Sequence, residues 1–131
     1  MVKRVVDWME QAKGEFKAAR DLYSTKNYAW CCFACQQAAE KALKSILEHL
    51  GSPTSGHNLL MLVNEISAYI TVPQNVVDAC RILNRYYIPT RYPNAFPSGA
   101  PIHMFDEKDA MEALELVERV LNFARQVTGI T

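Results

Sequence analysis

The sequence lacks the features that mark several common protein classes. It carries no net charge, because 14 lysines and arginines balance 14 aspartates and glutamates. A site for an anion must therefore be built locally rather than supplied by a field over the whole surface. No apolar run approaches the roughly 20 residues that span a bilayer. Nor does a basic start lead into an apolar stretch and a small-residue cleavage site. A soluble, cytoplasmic protein with no membrane association is the expectation. Polar and apolar residues do not alternate over a strand's length, and there is no internal repeat, low-complexity tract or Gly-rich phosphate loop.

Cysteine is scarce and unevenly placed. Cys31, Cys32 and Cys35 crowd one helical turn and Cys80 lies far away, unlike the dispersed framework of a small secreted domain. Cys32-x-x-Cys35 could be half a zinc site or a redox pair. No second Cys/His pair stands at finger-like spacing, however, and no βαβ pattern surrounds it. Buried, reduced thiols are expected, with no metal and no cofactor.

What is present describes an ordinary globular chain. Half of the 131 residues are hydrophobic and 21% are charged, enough for one core burying roughly two thirds of the unfolded surface. A single domain over residues 1–131 follows. Apolar spacing gives five helical segments, hence an all-α fold. Val5, Trp8, Met9, Ala12, Phe16, Ala19 and Tyr23 line the first. The second, about Tyr28 to Leu50, has two packable faces: a large one with Ala29, Cys32, Phe33, Leu43, Leu47 and Leu50, and a small one with Cys31, Ala34, Cys35, Ala38, Ala42 and Ser45. It is the expected central or dimer-forming helix.

Gly51, Ser52 and Pro53 stop that helix. Leu59, Leu62, Val63, Ile66 and Ile70 line a third, and Pro73 suits the first turn of a fourth carrying Val76, Val77, Cys80, Leu83 and Tyr87. Pro89, Pro93, Pro97, Gly99 and Pro101 then impose a rigid, shaped loop. Asp106 is a good cap for the last helix, with Glu107 and Asp109 in its first turn and Gly129 closing it.

Two polar features stand out. A rotation of about 100° per residue puts Gln36 and Glu40 inside the large apolar stripe of the second helix. A carboxylate facing a core needs a donor, and Arg91, Arg85 or a tyrosine hydroxyl could supply it. The result is either a clamp pinning the proline-rich loop or the floor of a ligand site. The second feature is the run Arg81, Arg85, Tyr86, Tyr87, Arg91 and Tyr92, which pairs guanidiniums able to grip phosphate with rings on which a base can stack. The alternative for Arg81 and Arg85 is a solvated outer face. His57, after a Gly/Ser/Pro stretch, could cap amides, bond the loop or act as a general base, and capping is the expected role.

Gln36-Gln37-Ala38-Ala39-Glu40-Lys41-Ala42-Leu43-Lys44, then Gly56-His57-Asn58-Leu59, then Tyr87-Ile88-Pro89-Thr90-Arg91-Tyr92-Pro93 occur in the order that resembles the HEPN family, the higher eukaryotes and prokaryotes nucleotide-binding domain. Trp8, Ala18, Ala19, Asp21 and Leu22 resemble its first helix. The resemblance implies an up-and-down bundle of four to five helices that commonly dimerises, often beside a minimal nucleotidyltransferase in a toxin–antitoxin-like pair. It also implies nucleotide or RNA binding.

Many family members are metal-independent ribonucleases that use an arginine and a histidine a few residues downstream. This sequence departs from that motif. Downstream of Arg81, Arg85 and Arg91 the corresponding positions hold Tyr86, Tyr87 and Ile88, then Thr90, Arg91 and Tyr92, then Phe96, Pro97 and Ser98. Without that imidazole a binding module is favoured, with no catalytic residue assigned. Arg91, with Arg85, Tyr92 and Tyr87, would receive a phosphate-bearing ligand while Glu40 orients the arginine; Lys41 and His57 follow from the family pattern. A ribonuclease toxin and a purely structural dimerisation protein are the alternatives.

Overall fold

The apolar spacing sets the helices, and the computed structural model, which describes residues 3–131, contains five of them. They are α1 (Val5–Ser24), α2 (Tyr28–His49), α3 (Leu59–Ser67), α4 (Gln74–Leu83) and α5 (Glu107–Thr128). Three single-turn 3-10 segments, Asn84–Tyr86, Pro93–Ala95 and Pro101–His103, lie between α4 and α5, and no strand occurs among the described residues. The Lys3 ammonium donates to the His49 carbonyl and the Tyr23 hydroxyl to Glu107. Helix α1 therefore runs antiparallel to both α2 and α5, as an up-and-down bundle requires. Among the described residues no helix is long and apolar enough to cross a membrane.

Helix α2 is the centre of the bundle, packed mainly against α1 and α5. Its small-residue face is covered by neighbouring helices of the same chain except at Ala34, which is half-buried. Cys31, Cys35, Ala38, Ala42 and Ser45 are all fully buried within this one chain. Small side chains let the neighbouring helices approach closely, so the chain's own bundle consumes the face that the sequence leaves open to a partner. All four cysteines are free and buried. Burial pushes the Cys80 thiol up to about 12 and Cys32 higher still, and the Cys35 thiol, donating to Cys31, is raised while Cys31 is lowered. Among the described residues no three His, Cys, Asp or Glu side chains converge as a metal-holding group.

Helix α4 is shorter than its apolar stripe suggests. Its α-helical hydrogen bonding ends at Leu83 and tightens into the 3-10 turn Asn84–Tyr86, well before Pro89. Pro73 is the N-cap of α4, one residue ahead of the first turn. The proline-rich loop is ordered by its own turns, and Gly99 is required there. Its φ is +86°, and a Cβ would collide with the Met104 methyl. Asp106 and Asp109 then form a reciprocal capping box at α5, each side chain accepting from the other's amide at 3.0 Å. At the far end Gly129 takes the left-handed conformation.

Because Ala38 is fully buried on the small-residue face of α2, Ala38→Leu overpacks the junction inside one chain and costs about 1–3 kcal/mol. Urea unfolding checks this, and the loss should be independent of protein concentration.

Candidate functional site

Glu40 organises the polar side of α2. It is 2% exposed, so its charge must be matched within the protein. One carboxylate oxygen accepts from the Lys44 ammonium at 3.0 Å and the other meets His57 Nδ1 at 3.0 Å. The sequence-based expectation of an arginine or tyrosine partner is overturned. Lys44 lies one turn along the same helix, in the favourable Glu-to-Lys order, and reaches the carboxylate before any distant group can. The Lys44 ammonium also lies 5.4 Å from the Trp8 ring centroid.

His57 arrives from the α2–α3 loop, anchored by its carbonyl, which accepts from Gln36 Nε2 at 3.2 Å. It does not cap α3. Asn58 does so, its side-chain oxygen accepting from the amides of Leu60 and Met61, because a side chain at the N-cap reaches those amides and one a residue earlier does not. A carboxylate paired with an ammonium can only accept, which assigns the contact's proton to Nδ1 of His57. Nε2 is left without a protein partner among the described residues, on a side chain that is 55% exposed.

The imidazole stacks on Tyr87, with centroids 4.6 Å apart and planes within 19°. Tyr87 is held in turn by Arg91. The turn after Tyr87, closed by the Arg91 amide on the Ile88 carbonyl, curls the guanidinium back so that Nε and Nη2 donate to the Tyr87 carbonyl at 2.8 and 2.6 Å. The same guanidinium lies 4.2, 4.8 and 5.0 Å from the ring centroids of Phe33, Tyr87 and Tyr92. Arg91 is thus a bracket among aromatic rings and makes no bond to Glu40. Tyr87 meets both groups, its ring stacked on His57 and contacted by the Arg91 guanidinium.

His57, Tyr87 and Arg85 line an open groove of about 610 Å³ with Asn58, Asn84, Ile88 and Pro89. Arg85 is exposed on the 3-10 turn that buries its neighbour Tyr86. Among the described residues it has no ion-pair or hydrogen-bond partner, whereas Arg81 is paired with Asp78 at 2.9 Å. The groove's two side-chain amide oxygens are already used: Asn58 Oδ1 by amides and by Asn84 Nδ2, and Asn84 Oδ1 by the Leu59 amide at 2.8 Å. That leaves the Arg85 guanidinium as the cationic donor in the groove's lining, a group suited to an anion.

Of the residues singled out in the sequence, His57, Tyr87 and Arg85 meet at the groove, with Glu40 beneath. Arg91 and the exposed Tyr92 sit behind Tyr87. Lys41 faces elsewhere, bonded to Glu15 at 3.0 Å and Gln37 at 2.9 Å. Sequence reasoning misses Lys44, Asn58 and Asn84 as site residues. The Glu-x-x-x-Lys spacing was the available signal for Lys44, and an Asn just ahead of the apolar stripe was the one for Asn58 as a cap; Asn84, which meets it across a sequence gap, had none.

The three motifs that meet here sit on one bundle, and a model of the HEPN domain matches residues 5–127. The chain belongs to the HEPN family. Among solved structures, TT1696 from Thermus thermophilus is 39% identical, with a TM-score of 0.93 over 96% of this chain and 99% of that one. ST0689, an archaeal HEPN homologue, is 34% identical, with a TM-score of 0.81 over 95% and 98%. A HEPN domain protein from Thermotoga maritima is 25% identical, with a TM-score of 0.77 over 95% and 99%. Comparison with curated proteins gave no match.

If Glu40 is the acid that holds this HEPN site, Glu40→Ala should cost about 3–5 kcal/mol, the penalty for stranding a buried charge partner. Chemical denaturation measures it, and Glu40→Gln should lose less because an amide oxygen still accepts.

Proposed function

We propose that this HEPN domain is a binding module that takes the phosphate of a nucleotide or RNA in the His57–Arg85 groove. The observation that carries the reading is the Arg85 guanidinium, without a partner among the described residues, beside the His57–Tyr87 stack in one open groove. A guanidinium offers two parallel hydrogen bonds to a phosphate, and the flat rings beside it offer a surface to a base. Arg91 acts from behind, as the bracket that holds Tyr87. In this reading the domain is the partner subunit of a minimal nucleotidyltransferase in a toxin–antitoxin-like pair and forms a homodimer. Those two assignments rest on family membership, and the homodimer would use a surface other than the small-residue face of α2.

Calorimetry of the folded protein against a nucleotide panel tests the binding. Arg85→Ala should weaken the best nucleotide by at least tenfold, matching the loss of a charge-assisted bond worth about 1.5–3 kcal/mol. Unchanged affinity in a folded variant would rule the groove out.

A second reading has one observation of its own. The Glu40–His57 pair, with Nε2 directed away from the carboxylate, is the geometry of an oriented general base. It favours metal-independent cleavage of RNA, although the family's arginine–histidine motif is missing. Incubating RNA with the pure protein in chelator decides between the two. Intact RNA is expected; cleavage that disappears in His57→Ala would establish the ribonuclease instead.

A further inference from the structure

A second groove of about 520 Å³ lies between α1 and α2, lined by Gln11, Glu15, Leu22, Trp30, Phe33, Ala34, Gln37 and Lys41. Its outstanding member is Trp30, 45% exposed although indole is costly to leave in water. Glu15, the one carboxylate in the lining, is already neutralised by Lys41 and bonded by Gln11 at 2.7 Å. It presents no free negative charge to an approaching polyanion.

The two grooves are joined by an unbroken series of ring contacts. Trp30 meets Phe33 edge-on with centroids 6.1 Å apart, Phe33 meets Tyr87 at 6.3 Å, and Tyr87 stacks on His57 at 4.6 Å. Arg91 lies over the middle of this series, against Phe33 and Tyr87, with Tyr92 47% exposed beside it. Its Nε and Nη2 are committed to the Tyr87 carbonyl, and Nη1 has no partner among the described residues. Rings in sequence with guanidinium charge between them are the pattern on which unpaired bases stack while their backbone is held electrostatically.

We infer that the Trp30 groove is a second subsite that stacks an unpaired base, so that the preferred ligand is a single-stranded oligonucleotide bridging both grooves and not a mononucleotide. This rests on the phosphate reading of the His57–Arg85 groove and extends it. The first groove takes a phosphate, Arg91 Nη1 lies on the path between the grooves, and Trp30 takes a base farther along the strand. A duplex, whose bases are stacked on each other, cannot use the rings and gains nothing from the second groove.

The test is calorimetry with AMP and with single-stranded oligoadenylates of increasing length, on the wild type, on Trp30→Ala and Arg85→Ala, and on Tyr69→Phe, an exposed ring in neither groove. Affinity should rise with length until both grooves are filled. Trp30→Ala should then lose roughly five- to hundredfold for the longer strands while binding AMP as before, and Tyr69→Phe should behave as wild type. Arg85→Ala should weaken AMP and oligonucleotides alike. Oligoadenylates that bind no tighter than AMP, or a folded Trp30→Ala that keeps full oligonucleotide affinity, would overturn the second subsite and leave the phosphate groove standing. Failure of AMP and every oligoadenylate to bind would overturn both readings together.

Discussion

A carboxylate enclosed on the wall of α2 is the constraint from which the site's arrangement follows. Glu40 cannot stay there unpaired, since the penalty for an isolated buried charge far exceeds what one helix can offset. Lys44 supplies the charge and His57 the directed hydrogen bond. The second of these draws the α2–α3 loop against the bundle and fixes the plane of the imidazole. Tyr87 stacks on that plane, and the Arg91 bracket sets Tyr87. One acid therefore settles the positions of groups drawn from three separate stretches of the chain.

Most of the fold was legible in the sequence because it depends on local periodicity. The stripe of α1, the central position of α2, the Asp106 cap and the Gly129 stop are signals confined to a turn or two, and the structure has each of them. The boundaries that moved are those where periodicity continues past the backbone's ability to follow. Tyr87 keeps the spacing of α4, yet the chain has already tightened into a 3-10 turn. The small face of α2 was legible as a close-packing surface, but periodicity does not say whether the neighbour is another helix of the same chain.

The site was legible as a set of residues and not as a set of contacts. Gln36, Glu40, His57, Tyr87, Arg85 and Arg91 all fall in one region. Their pairing was decided by competition that composition does not reveal. Lys44 was nearer to Glu40 than any arginine, and a backbone carbonyl four residues back was nearer to Arg91 than any carboxylate. Asn58 displaced His57 from the cap by one position in the chain. In each case the shorter path prevailed, since a local partner costs less chain entropy than a distant one.

The burial of 13 of the 22 residues of α2 also separates the parts of the molecule that are free to diversify from those that are not. Substitution at those buried positions is confined to side chains of almost unchanged size. Arg85, Ile88 and Tyr92, by contrast, lie at or beyond the end of α4, exposed and outside the close-packed interior. On the proposed binding reading, this rim can change its ligand preference while the scaffold is kept.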